Sequence, residues 1–379
     1  MHRDCSWLMG CCLLGLVLTG CAPRATNFSQ HPGFAAFYTM HPAQHTLPDT
    51  DEWHLLERYK PRFFLPPGHA GLIDFYGDYI ASGRLYAGDG RLLARQVTPS
   101  VLNAHKTDPR VGFVHTPSSA RSAQPVVYGR IERAEVDLGA FGKPTLLFLT
   151  YHAVFRHSGL PASVSGWWAL ALGLVANLED WHQLDHYTSA TIVLEQTHAP
   201  LALMLQQHNY TRTYVFGRDI ALPDDGRALL DVAIRSNELY PHMVRKTTRR
   251  AVRFVSPEAM RYLLGFGPRP WIAADDLTDG QDEAPYTLGC LPPDDAFYTF
   301  QGFLGARRRL PGRDGPPGAD YNIWPALKPW GPQMLVGFFR EGDREDLARF
   351  EATYARTENP LDFVRVQAPV FGAALPRRP

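Results

Sequence analysis

The chain has 379 residues, with 38 Lys and Arg against 38 Asp and Glu, so its formal net charge is zero. The basic residues are scattered along the chain, and nothing in their pattern points to nucleic acid as a partner. Gly and Pro number 32 each and aromatics make up 12%, a composition that fits a loop-rich, strand-rich globular domain and not a helical bundle.

Residues 1–20 open with Arg3, continue through an apolar run over 7–18, and end on the small residues Thr19 and Gly20. That is the layout of an export signal, and the run is too short for a permanent bilayer span. Leu18-Thr19-Gly20-Cys21 matches the bacterial lipoprotein box. A thiol at the cleavage position is acylated, and the small residues before it admit the signal peptidase. The expectation is that Cys21 becomes the first residue of a mature chain anchored to a lipid bilayer. Several acyl chains anchor stably, at about 0.8 kcal/mol per buried CH₂. Ala22 follows the cysteine, which by resemblance to other lipoproteins implies the outer membrane, on its periplasmic or surface face. Cys5, Cys11 and Cys12 fall in the leader, so Cys290 has no intrachain partner and no disulfide framework is expected. A buried, inert thiol is the simplest reading of Cys290.

Residues 21–46 lack sustained periodicity and read as a tether, which leaves 47–379 as a single β-rich globular domain. Asp49 with Glu52 predicts a capping box for a short helix through Arg58. "YKPRFFLPP" then reads as an extended segment broken by prolines. Residues 70–82 place Leu72, Ile73, Tyr76, Tyr79 and Ile80 on one helical stripe stopped by Gly83. From Pro125 the pattern turns to sheet. Strands are predicted in 125–136, 145–155, 186–195 and 200–216, with another in "LLDVAI" ending at Ser236. "WWALALGLVANL", residues 167–178, reads as a buried helix or lid, with a membrane-facing patch as the weaker reading. Further on, Ser256-Pro257-Glu258 opens a helix well, residues 275–284 form an acidic loop, and 341–356 has the pattern of a charged amphipathic helix.

No Gly-rich phosphate loop, GxSxG elbow, HExxH or CxxC pair occurs in the sequence. The densest cluster of ionisable residues is "EDWHQLDHYT", with Glu179, Asp180, His182, Asp185 and His186. Imidazole and carboxylate are ligand types for a divalent metal, and a carboxylate beside a histidine also serves acid/base chemistry. If a strand begins near Asp185, then Asp185 and Tyr187 share a face and His186 points away, so Asp185 and His186 cannot both serve one mononuclear site without a bulge. His208, in "LQQHNY", and Asn237 and Glu238, in "IRSNELYPH", lie where predicted strands end. A polar loop with structurally bonded histidines accounts for the same residues without any site.

Read in order, these pieces resemble the vacuolar protein sorting sixty-two-like family. "LERYKPRFFLPP" resembles its "YxPxxxLxP" opening, and "LTYHAVFRHSG" sits where it has an aromatic "YWxFY" strand. "QLDHYTSATIVL" sits at its "DWEHVTVxL", "LMLQQHNY" resembles its "YSQH", and "VAIRSNELYP" its "VAxxSHAxYP". The order fits over residues 55–245, and the Trp/Pro/Gly loop near 324–332 resembles a late "W…GP" segment. That family is related to the necrosis- and ethylene-inducing toxins, β-sandwiches with a cation held by a "GHRHDWE" segment. The resemblance implies an α+β, mostly β fold: a β-sandwich core with flanking helices and the polar cluster at one end. The motif's Glu falls on Asp185 and the next His on His186, while its Asp and Trp fall on Gln183 and Leu184. Its "SHA" reads Ser236-Asn237-Glu238, where Glu238 would stand in for a missing ligand.

Two functions follow as expectations. One is a noncatalytic envelope lipoprotein that binds a partner protein or a glycan. The other is a hydrolase of an envelope or extracellular substrate, in which His182, Asp185 and His208 hold a divalent metal or do acid/base work with Glu238 assisting.

Overall fold

The computed structural model describes residues 26–27, 47–116, 122–135, 145–159, 183–207, 210–217, 220–242, 282–305, 315–319 and 321–322. Strand predominates over helix among them. Helix α1, Thr50–Tyr59, begins where the sequence requires. The Asp49 side chain accepts from the Glu52 backbone N–H at 2.9 Å, and Glu52 accepts from the Asp49 N–H at 3.2 Å. That reciprocal pair satisfies two of the free N–H groups every helix start exposes. The α1 residues Leu55, Leu56 and Tyr59 are buried.

Strand β1 (Thr26–Asn27) pairs antiparallel with β15 (Tyr321–Asn322). The largest sheet has six strands: β6 (Val126–Glu135), β7 (Thr145–His152), β8 (Ser189–Leu194), β9 (Pro200–Gln207), β10 (Tyr210–Val215) and β14 (Thr287–Gly289). From β6 to β10 each strand pairs antiparallel with the next, an up-and-down meander, while β14 closes the other edge parallel to β6. A second sheet runs in the order β12 (Leu239–Pro241), β11 (Leu229–Val232), β2 (Arg62–Leu65), β13 (Asp282–Ala284). A third holds β4 (Leu92–Ala94), β3 (Gly83–Tyr86) and β5 (Gly112–His115).

One apolar cluster takes Leu147, Leu149, Ile192 and Leu203 from the six-stranded sheet, Phe63, Leu230 and Val232 from the four-stranded sheet, and Leu56 from α1. Each such side chain taken fully out of water contributes about 1.5–3 kcal/mol. A second cluster gathers Phe75, Tyr79, Leu85, Phe113, Phe297 and Leu304 around the three-stranded sheet. Short helices α2 (Pro99–Ala104) and α3 (Ala296–Thr299) flank it. Among the described residues no helix is long and apolar enough to cross a membrane.

Five expectations need correction. Residues 70–82 do not form one helix: a single π-helical turn, Phe75–Tyr79, runs into a 3-10 turn, Ile80–Ser82. Non-local pairing takes the first part, because the Ile73 N–H donates to the Val154 carbonyl and the Ile73 carbonyl accepts from Val126. Asp74 then caps the turn by accepting from the Tyr76 N–H. Residues 200–216 are not one strand but the hairpin β9–β10, with Gln207 opposite Tyr210. The strand after Asp185 starts at Ser189, and "LLDVAI" is strand only to Val232, with a turn and β12 following. The end of the predicted acidic loop, 282–284, is β13, which pairs with β2. The readings of 1–25, 167–178, 256–258 and 341–356 lie outside the described residues.

Candidate functional site

Several chain reversals meet at one end of the two larger sheets: the segment after β2, the segment after β7, the segment before β8, and the β11–β12 turn. Antiparallel pairing brings them there, since His152 at the end of β7 sits opposite Ser189 at the start of β8. An isolated bridge extends that register, with Phe155 and Asp185 exchanging backbone hydrogen bonds of 2.7 and 3.0 Å.

Asp185 is buried, and its carboxylate is surrounded by donors. Thr188 gives its hydroxyl to Oδ2 at 2.9 Å and its backbone N–H to Oδ1 at 3.2 Å. The Asn237 side-chain amide donates to Oδ2 at 2.8 Å and to the His157 carbonyl at 2.8 Å. On its other side, Asn237 Oδ1 meets His69 Nε2 at 3.1 Å. His69 Nδ1 accepts from the Gly71 N–H at 2.9 Å, so the ring proton is on Nε2 and points at Asn237. A chain of bonds therefore runs His69–Asn237–Asp185–Thr188, all of it buried. Burial pushes the Asp185 carboxyl up to about 6, against the pull of the Asn237 and Thr188 donors toward the ionised form.

Asn237 can hold this position because of its backbone. It has φ of 59°, in the left-handed region that Asn tolerates better than most residues. The turn is closed by Ala233 N–H to the Glu238 carbonyl at 3.0 Å and Asn237 N–H to the Ala233 carbonyl at 3.3 Å.

His186, one residue from Asp185, has different surroundings. Its ring stacks on Phe75 at 5.9 Å and meets Phe297 edge-on at 5.1 Å. It is fully buried, and burial pushes its imidazole down to about 3 although the backbone of Phe297 and Pro317 favours the charged form. His152 Nδ1 donates to the His186 carbonyl at 3.2 Å, and the Tyr187 hydroxyl donates to the Pro317 carbonyl at 3.0 Å. These contacts dock residues 315–319 onto the segment before β8.

Glu238 is buried and accepts a short hydrogen bond from the Tyr240 hydroxyl. Of the predicted site residues, Asp185 and Glu238 both lie at this end, each held by a neutral side chain. His182 and His208 lie outside the described residues, as do Glu179, Asp180 and Cys21. Among the described residues no group of three or more His, Cys, Asp or Glu side chains is arranged to hold a metal ion. Cys290 is a free thiol, half-buried, and burial pushes it up to about 12.

The sequence does not single out His69 or Thr188, and it places Asn237 beside Glu238 past a strand end without revealing that its amide bridges His69 and Asp185. A signal for that role existed: Asn just after a predicted strand end is a common left-handed turn residue. It also passed over Asp231 and His242, which meet across the β11–β12 hairpin with Oδ1 and Nδ1 2.6 Å apart. The comparisons with known proteins add no name to this arrangement: no family model, curated protein or solved structure matches the chain.

Proposed function

We propose that the chain is a bacterial envelope lipoprotein, anchored in the outer membrane through acylated Cys21, whose domain is a noncatalytic binding module for an envelope protein or a glycan. The lipobox and the apolar leader support the anchor. The shared core of the six- and four-stranded sheets supports a β-sandwich of the vacuolar protein sorting sixty-two-like kind.

The observation that carries the noncatalytic reading is the state of Asp185. A ligand or a general base needs a lone pair directed at its metal or its proton. Both Asp185 oxygens instead accept from Thr188 or Asn237 inside the protein. The hydrolase reading draws its support from two buried carboxylates, Asp185 and Glu238, at one end of the sheets. One experiment separates the two. Protein lacking residues 1–21 is purified, and its metal content is measured for the native sequence and for Asp185→Ala with Glu238→Ala. The binding-module reading expects no stoichiometric metal in either. A bound metal that the double substitution removes refutes it. Mass spectrometry of the full-length protein expressed in a bacterium tests the anchor, with acyl mass expected on Cys21 and absent in Cys21→Ala.

A further inference from the structure

The tether and the domain meet at a place the export motif does not reveal. β1 lies in the stretch read as tether and begins five residues after Cys21. Its backbone pairs antiparallel with β15, Thr26 opposite Asn322 and Asn27 opposite Tyr321. Three residues before Asn322, Ala319 is built into the domain. Its N–H donates to the Phe297 carbonyl of α3 at 2.8 Å, and the Gly318 N–H donates to the Phe300 carbonyl at 2.7 Å. The Leu304 N–H donates to the Pro316 carbonyl at 2.7 Å, and the Tyr187 hydroxyl to the Pro317 carbonyl at 3.0 Å. Residues 315–319 are therefore stitched to α3 and to the segment before β8, and β15 begins two residues on.

Strand register tells the two ends of the large sheet apart. At one end Tyr128, His152 and Ser189 stand side by side across β6, β7 and β8, close to the Phe155–Asp185 bridge. At the other end Arg133, Leu147 and Leu194 stand side by side. The stretch of β7 from Leu147 to His152 separates the two rows by about 17 Å of extended chain. The first helix enters the domain at the second end, because Glu52 of α1 is ion-paired with Arg133. A plain tether from Cys21 to residue 47 could reach about 90 Å and would attach the domain beside Arg133. The β1–β15 pair moves the attachment to the opposite end. It also shortens the reach, since five residues from Cys21 to Thr26 span at most about 18 Å.

We infer that the β1–β15 pair is a clasp that seats the domain on the bilayer by its Asp185 end, with lipid headgroups as the partner of that face. This seat rests on the acylation of Cys21 proposed above and adds an orientation to it. From Thr26, a cross-strand step of about 5 Å and three residues, at most about 11 Å, lead to Ala319. The path from Cys21 to the segment bonded to α3 is therefore at most about 34 Å long. The β11–β12 turn, with exposed Arg235, lies on the membrane side, since Asn237 of that turn bonds Asp185. The β8–β9 turn, with exposed Gln196 and Thr197, follows Leu194 and is turned away from the membrane. An envelope partner is met at that outer end.

The test uses the full chain, expressed in a bacterium and reconstituted in vesicles of phosphatidylethanolamine and phosphatidylglycerol with a rhodamine acceptor on the headgroups. In a Cys290→Ser background a donor dye is attached through Arg235→Cys or Thr197→Cys. The expected energy transfer is stronger from 235 than from 197. Thr26→Pro with Asn27→Pro removes the ladder donor of β1 whichever residue supplies it, and is expected to erase or reverse that difference. If the proline pair disturbs the fold, a Gly/Ser insert of about ten residues after Ala25 keeps the clasp and lengthens the reach, and transfer from 235 is expected to fall. Thr26→Cys with Asn322→Cys is expected to form a disulfide, because cross-strand Cα atoms lie about 4.5–5.5 Å apart. Equal transfer from the two positions, or more from 197, in a chain carrying acyl mass on Cys21 overturns the clasp and leaves the anchor standing. Failure of the disulfide, or transfer from 235 that the insert does not change, also overturns the clasp. A chain without acyl mass on Cys21 overturns the anchor and the seat with it.

Discussion

Asn237→Ala removes the side chain through which three chain segments are joined. The native amide makes bonds of 2.8 Å to Asp185, 2.8 Å to the His157 carbonyl and 3.1 Å to His69. Alanine leaves the His69 N–H and the His157 carbonyl without that partner in a buried setting, at about 1–3 kcal/mol each. It also deprives the Asp185 carboxylate of one donor, and bonds to charged groups are worth about 1.5–3 kcal/mol. The left-handed backbone at φ 59° adds about 1–2 kcal/mol for a residue with a Cβ and no compensating bond. The contributions share one network and do not add fully, so the expected loss is about 4 kcal/mol or more. Near Tm this corresponds to a drop of roughly 8–16 °C for a domain of this order of size. Glycine lacks the backbone penalty, so Asn237→Gly sits about 1 kcal/mol above Asn237→Ala. The assay is thermal and urea unfolding of protein lacking residues 1–21, followed by circular dichroism and tryptophan fluorescence. A Tm for Asn237→Ala within 2 °C of native would refute the keystone role, and equal values for Ala and Gly would refute the backbone part of it.

Asp185 and His186 pull stability in opposite directions as pH changes. Asp185 rises from 3.8 to about 6 on folding, so the folded state binds more protons between those values, and roughly 3 kcal/mol present at low pH is lost by neutrality. His186 falls from 6.5 to about 3, so the unfolded state binds more protons in that window and stability is lost on acidification. Urea midpoints across pH 4–7 should therefore fall more steeply toward acid in Asp185→Asn than in the native protein, and less steeply in His186→Leu; parallel curves for all three would contradict both assignments. Gly302→Ala places a Cβ into the Val111 carbonyl oxygen, and because that is backbone the segment must shift, costing about 2–3 kcal/mol as a lower Tm. Asp49→Ala should cost about 1 kcal/mol by removing the cap of α1, with the rest of the fold intact by circular dichroism. The Cys290 thiol, pushed up to about 12, should resist a disulfide reagent at pH 8 in the folded protein and react at once in urea.

The parts of the fold legible in the sequence are those set by local pattern. The β7 strand announces itself as a run of apolar and β-branched residues, and the α1 cap is written in Asp49 and Glu52. The failures are those in which a distant partner decides. Residues 70–74 carry a helical stripe, yet Val154 and Val126 take the backbone of Ile73. The β9–β10 reversal falls at the polar stretch 206–209, a turn signal that the expectation of one strand over 200–216 passes over. At the candidate site, the sequence marks Asp185 and Glu238 as ionisable residues near strand ends but says nothing of who faces them. Asp185 meets Asn237 from 52 positions away, and Asn237 meets His69 from 168. The Asp231–His242 pair needed only a hairpin register, which the misplaced end of "LLDVAI" concealed.

The position of β2 sets an order of events in assembly. The meander from β6 to β10 joins neighbours in sequence, so it can form as the chain emerges. β2 comes earlier than all of them, yet it lies between β11 and β13, pairing Phe63 with Leu230 on one side and with Ala284 on the other. Until residues near 230 and 284 arrive, the segment "RFFL" has two open edges and an apolar face with nothing to cover it. A chain cut short before 282 keeps one of those edges open. Such a fragment is expected to aggregate even though its six-stranded sheet is nearly complete, and the early strand is the part of the protein most in need of protection before folding ends.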